Sequence, residues 1–161
     1  MVSNPELKTK LKDAAYGQNQ LIEADQILII CPLKNLDEKI VEDYIKNINE
    51  TRQTPLEELQ KHKEMMLGQI AKLNPQQAEA WTAQQAYIVL GFIMAACAMA
   101  EIDACPMEGF EPEKVDEILN LTNKNLTAKI ICPLGFRSDS DVYSKMKKVR
   151  LNQSELFIKL I

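Results

Sequence analysis

At 161 residues, 46% of them hydrophobic and 26% charged, the chain has the composition of one globular domain rather than of a disordered or repetitive segment. Its net charge of −4 gives no electrostatic support to a nucleic-acid or anionic-membrane partner. The four cysteines form no C-x-x-C pair and the one histidine, His62, has no cysteine near it, which argues against zinc. No charged-then-apolar leader opens the chain, so the expected location is cytoplasmic.

Asn4-Pro5 reads as a helix start, with Asn as the cap and Pro at the first helical position. Leu7, Leu11 and Ala14 share one face, so a helix is expected over about 5–15, ended by Gly17. The run Gln26 to Cys31 is short, apolar and β-branched, which suits a buried strand stopped by Pro32. The spacing of Leu36, Ile40, Val41, Tyr44, Ile45 and Ile48 predicts a helix over 36–53. Thr54-Pro55 opens another, running to Leu73, and His62 in its charged stretch reads as a surface histidine.

Asn74-Pro75 caps the helix around which the chain is organised, expected over about 75–102. From Ala86 to Ala100 it carries no charge and no proline. That run falls short of the about 20 apolar residues a bilayer needs. It also lacks the polar face of a surface helix. It is therefore expected to be buried on all sides, by the chain's own core or by a second subunit over one face. Gly91, Ala95, Ala96 and Ala98 leave room for another backbone.

Cys105-Pro106-Met107-Glu108-Gly109-Phe110 follows as an irregular turn, the kind of segment that carries chemistry on a rigid support. Glu111-Pro112 starts a short helix through Leu119, and Leu126 to Cys132 is a second buried strand. Ile29-Ile30-Cys31-Pro32-Leu33 echoes Ile130-Ile131-Cys132-Pro133-Leu134; two core strands end alike, without a true repeat. Asp139 to Lys147 reads as a short polar helix or turn. Ser154 to Ile161 alternates loosely and is expected as a C-terminal strand that pairs with something distant. Few strands among many helices imply an α+β domain, a small sheet packed on helices.

These stretches resemble the FMN-dependent nitroreductase family. Trp81 at the head of the long helix, Gly91, Ile102-Asp103-Ala104 and the Pro-x-Glu-Gly-Phe turn carry the resemblance without gaps. Asn4-Pro5-Glu6-Leu7, Ala14-Ala15-Tyr16-Gly17-Gln18, Cys132-Pro133-Leu134-Gly135 and Lys148-Val149-Arg150 extend it over most of the chain. The resemblance implies a nitroreductase-like α+β fold over residues 1–161, as an intertwined homodimer around the long helix. Residues 151–161 would be an arm that adds a strand to the partner's sheet.

It also implies FMN at the dimer interface, NAD(P)H as co-substrate, and hydride transfer through flavin N5 to nitroaromatic, quinone or similar small-molecule acceptors. Pro106, Met107, Glu108 and Gly109 would lie against the isoalloxazine ring, with a backbone N–H near Glu108 directed at N5. Lys148 and Arg150 would contact the FMN phosphate, and Gln18 and Gln20 the ribityl chain or pyrimidine edge. No acid–base pair, nucleophile–base pair or metal cluster stands out, which suits chemistry carried by the cofactor.

The chain departs from the family at its front. An Arg-x-Ser-x-Arg-like phosphate motif, a helix with a Ser-x-x-x-Gln-Pro-like stretch and a first strand do not precede Asn4. The expectation is an N-terminally shortened nitroreductase domain. The competing reading is a non-catalytic dimeric remnant with a weak or absent flavin site.

Overall fold

The computed structural model describes residues 1–160. Its centre is a small antiparallel sheet of β1 (Gln26–Ile30), β2 (Asp103–Ala104) and β3 (Ile130–Gly135), in the order β1-β3-β2. Alternation along the strands gives the sheet two faces. Ile27, Ile29 and Ile131 join one core with Leu11 and Ala14 of α1 (Pro5–Ala14), Leu21 of α2 (Gln20–Glu23) and Val115 of α6 (Pro112–Leu119). On the other face Cys132 lies within electrostatic reach of Cys97 on α5 (Pro75–Met99).

The second strand begins and ends later than its hydrophobic run suggests. Residues 126–129 form an irregular segment before it, and the strand continues through Pro133 to Gly135. Pro133 costs the β1 side of this central strand nothing, because toward β1 it occupies a position without hydrogen bonds; its missing N–H falls on the side of Cys105, where one ladder bond is absent. Ile27, its partner there, uses its own N–H and C=O on Val2, at 2.9 and 2.8 Å. The Pro133 carbonyl still accepts from the Cys105 N–H at 3.0 Å.

Helix starts follow the sequence closely. The Asn4 side chain accepts from the Leu7 N–H, and Asn74 with Gln77 forms a capping box on α5. Helices α3 (Glu38–Arg52) and α4 (Leu56–Ile70) form a hairpin with its own small core of Val41, Ile45, Ile48 and Leu59. Helix α5 stops three residues before the expected end. Glu101 takes a left-handed φ of 58°, and the Ile102 N–H turns back to the Cys97 carbonyl at 2.9 Å. Glycine normally marks such a stop, so the sequence carried no sign of it.

Two expectations are corrected. Helix α5 is not buried on all sides within one chain: of its residues Thr82, Ala86 and Cys97 are buried, while Ile88 and Met99 stand out and Phe92 is 75% exposed. Uniform apolarity has no direction, so it could not say which side the chain itself covers. At 25 residues the helix is also long and apolar enough, by length and composition alone, to cross a membrane. The expected C-terminal strand is replaced by a helical turn, α7 (Gln153–Leu156), closed by a capping box between Asn152 and Glu155. Phe157 to Leu160 then run on exposed and without strand pairing, and Ile161 lies outside the described residues.

Candidate functional site

The turn Pro106 to Phe110 is held from three sides. The Met107 N–H donates to the Ile131 carbonyl at 2.7 Å and its own carbonyl accepts from the Ile131 N–H at 3.1 Å. Its side chain is buried in the main core. Met107 therefore anchors the turn rather than presenting a side chain at its surface. On the far side Phe110 is buried and the Glu111 N–H donates to the Ala14 carbonyl at 2.9 Å, tying the turn to the end of α1.

That end of α1 delivers the third support. The Gly17 N–H returns to the Lys12 carbonyl at 2.9 Å, and Tyr16 and Gly17 both take left-handed φ values, 55° and 75°. Glycine accepts this readily; a tyrosine that is 69% exposed does so because the helix stop places it there. The chain then reverses and brings Gln18 against the turn. Its Nε2 donates to the Gly109 carbonyl at 2.7 Å and to the Ala15 carbonyl at 3.2 Å, and its Oε1 accepts from Gln20 Nε2 at 3.0 Å. A Cβ at Gly109 would stand 3.2 Å from Gln18 Nε2, so glycine at this position makes room for the glutamine.

The result is a turn with one peptide fixed at both ends. The Gly109 carbonyl is taken by Gln18, and the Phe110 N–H donates to the Glu108 carbonyl at 2.9 Å. Among the described residues neither the Glu108 N–H nor the Gly109 N–H has an acceptor, and both residues are exposed. Two rigid, outward donors on a supported turn can hold an electron-rich heteroatom of a planar ligand. A cleft of about 800 Å³ borders the same turn, lined by Glu108, Phe110, Glu113, Leu73, Tyr87 and Lys34 among others.

The expected site residues thus fall in two groups. Gln18, Gln20, Pro106, Met107, Glu108 and Gly109 are brought together. Lys148 and Arg150 are exposed, and among the described residues neither is hydrogen-bonded to that turn. The Lys148 charge acts on Asp103, at the start of the strand segment whose other end is Met107. Met107 is four residue steps along the chain from Asp103, about 13 Å at about 3.3 Å per step. The Arg150 guanidinium donates to the Val149 carbonyl at 2.7 Å.

An ion pair that the sequence did not reveal lies beside Lys148. Arg137 binds the Asp103 carboxylate through two hydrogen bonds. These bonds, with the nearby charges of Arg137 and Lys148, hold the Asp103 carboxyl below its ordinary value. No local spacing joins residues so far apart in sequence.

The model of the nitroreductase family matches residues 1–136. The chain belongs to the nitroreductase family. The match takes in all of α5, so this helix is part of the family's fold and not an appended span. Among nitroreductase relatives, YfkO of Bacillus subtilis, provisionally named an NAD(P)H nitroreductase, is 31% identical over 148 residues. The alignment covers 85% of this chain and 67% of YfkO. The crystal structure of the nitroreductase-type protein ydfN of Bacillus subtilis superposes with a TM-score of 0.83 at 20% identity, over 99% of this chain and 75% of that one. A nitroreductase-type protein of Exiguobacterium sibiricum, solved in complex with FMN, gives 0.79 at 15% identity, over 99% and 74%. The fold is that of the nitroreductases: a small three-stranded sheet among helices, with one long central helix.

Proposed function

We propose that this chain takes FMN and passes a hydride from NAD(P)H through flavin N5 to nitroaromatic, quinone or similar acceptors, as a cytoplasmic homodimer. The observation that carries this reading is the Glu108-Gly109 pair of free N–H groups on a turn fixed by Met107, Gln18 and Phe110. Bound FMN would supply the hydride-accepting centre. The chain's own part would be to hold that centre: amide donors at Glu108 and Gly109 would face a position that gains electron density on reduction, at no cost of reorganisation. Lys148 and Arg150 are the candidates for the phosphate, since both are exposed cations on one short segment. The cleft beside Glu108 and Phe110 is room for an acceptor. The NAD(P)H relatives and the FMN-bound neighbour support the choice of cofactor and co-substrate.

The homodimer rests on α5 and the C-terminal arm. Trp81, Ile88, Val89, Phe92 and Met99 on the helix, and Leu156, Phe157, Ile158 and Leu160 on the arm, are all exposed in one chain. An apolar surface of that extent marks an interaction face. A second copy would cover it.

A second reading is a non-catalytic dimer with a weak flavin site. The chain spans about two thirds of the length of YfkO. Titration with FMN and with riboflavin, followed by flavin fluorescence, separates the two. The flavoenzyme reading expects binding that prefers FMN, weakens with salt and weakens in a Lys148→Ala, Arg150→Ala variant. It also expects NAD(P)H oxidation in the presence of a quinone. Absence of flavin binding leaves the second reading standing.

A further inference from the structure

The geometry points to Gln18 as a positioning residue that acts on the ligand side of the turn through Gly109, rather than by touching a cofactor itself. This rests on the flavin reading for its consequence, but not for its geometry. Both Nε2 protons of Gln18 are engaged inside the chain, one on Gly109 O at 2.7 Å and one on Ala15 O at 3.2 Å. Its Oε1 accepts from Gln20 at 3.0 Å. These partners fix the orientation of the amide. Flipping it would set Oε1 against two carbonyls and leave Gln20 Nε2 facing an NH2 group. Gln20 therefore orients Gln18, and Gln18 orients Gly109.

The consequence is directional. The Gly109–Phe110 peptide has its carbonyl on Gln18 and its N–H on the Glu108 carbonyl, so it cannot rotate without breaking two hydrogen bonds. That peptide is the hinge by which the preceding Gly109 N–H would turn away, because the carbonyl of the Glu108–Gly109 peptide is held by the Phe110 N–H; the Glu108 N–H sits on the Met107–Glu108 peptide, which Ile131 already holds. Gly109 itself offers little resistance, since glycine has the widest choice of φ and ψ. A glycine that a flexible turn needs for close packing against Gln18 is thus restrained by the residue it makes room for.

The test is Gln18→Leu, which keeps the bulk and removes the donors, with Gln20→Leu as a milder variant that removes only the orienting bond. In flavin-free protein, amide exchange followed by NMR is expected to show the Phe110 N–H protected in the wild type, clearly faster in Gln18→Leu, and intermediate in Gln20→Leu. In the presence of FMN, Gln18→Leu is expected to bind roughly tenfold more weakly. The midpoint potential of whatever flavin it binds should move to more negative values, because the Gly109 donor to the reduced form is no longer held. A merely structural role would lower the melting temperature and leave the potential unchanged. If exchange changes and neither protein binds FMN, the positioning role stands and the flavin reading falls. If Phe110 exchange, FMN affinity and potential are all unchanged, the inference is overturned. Should Gln18→Leu not fold, Gln20→Leu carries the same comparison, and an unchanged Phe110 exchange rate in it overturns the relay.

Discussion

Arg137 grips Asp103 across the β2–β3 pair, with Nε 2.6 Å from one carboxylate oxygen and Nη2 2.7 Å from the other. The hydrogen bonds from Arg137 are the main cause of the lowered Asp103 pKa. A carboxyl whose folded pKa is depressed adds stability above its unfolded pKa, about 3.9, and loses it as pH falls through the folded value. Both side chains are about half exposed, so solvent screens the pair and the effect is small. Asp103→Asn is expected to melt slightly below the wild type at neutral pH, and the gap should close below the carboxylate range. Thermal unfolding at several pH values checks this; a gap that stays open in acid would mean that the ion pair is not its source.

Asp116 carries a heavier structural role. It is buried on α6, and its carboxylate accepts from the Ala128 N–H at 2.6 Å and from the Thr127 hydroxyl at 2.8 Å. These bonds tie down the segment that the sequence alone would place in a strand. Asp116→Ala leaves a buried N–H without a partner and should cost about 2 to 3 kcal/mol. Urea denaturation is the measurement, with a lower midpoint and an unchanged slope expected.

Gly91 separates assembly from folding. A side chain added there meets nothing within 4 Å in the single chain. Gly91→Arg should therefore fold, but it would bury an unpaired charge if α5 is the dimer face. Light scattering is expected to show a dimer for the wild type and an 18.3 kDa monomer for the variant. A variant that remains dimeric would place the interface elsewhere.

The thiols should differ sharply in reactivity. Burial, with the Asp116 charge, pushes Cys31 up to about 11. Burial, with Cys105 and Cys97 nearby, does the same to Cys132, also about 11. Cys97 is buried and Cys105 is exposed. Since the thiolate is the reactive form, Cys105 is expected to react first with a disulfide reagent at neutral pH. Cys105→Ser should abolish that fast phase, and Cys31 and Cys132 should react only on unfolding or at strongly alkaline pH.

The sequence by itself determined the parts of this molecule whose causes are local. Asn4-Pro5 and Asn74-Pro75 start helices because a cap and its acceptor lie within three or four residues. The apolar spacing of α3 and the β-branched run of β1 report their burial in the same short range. The turn at Glu108-Gly109 was legible because Pro and Gly punctuate it and because its residues match a family pattern. Only the tertiary structure decided the rest. Gln18 and Gly109 are 91 residues apart and Asp103 and Arg137 are 34 apart, and no periodicity connects them. The burial of α5 depends on what packs against each side, which an evenly apolar sequence leaves open. Its end rests on a glutamate in a left-handed conformation that is stabilised by a hydrogen bond back to Cys97 rather than by residue type. Local hydrogen bonds and spacing are written along the chain; contacts between distant segments exist only once the sheet has brought those segments together.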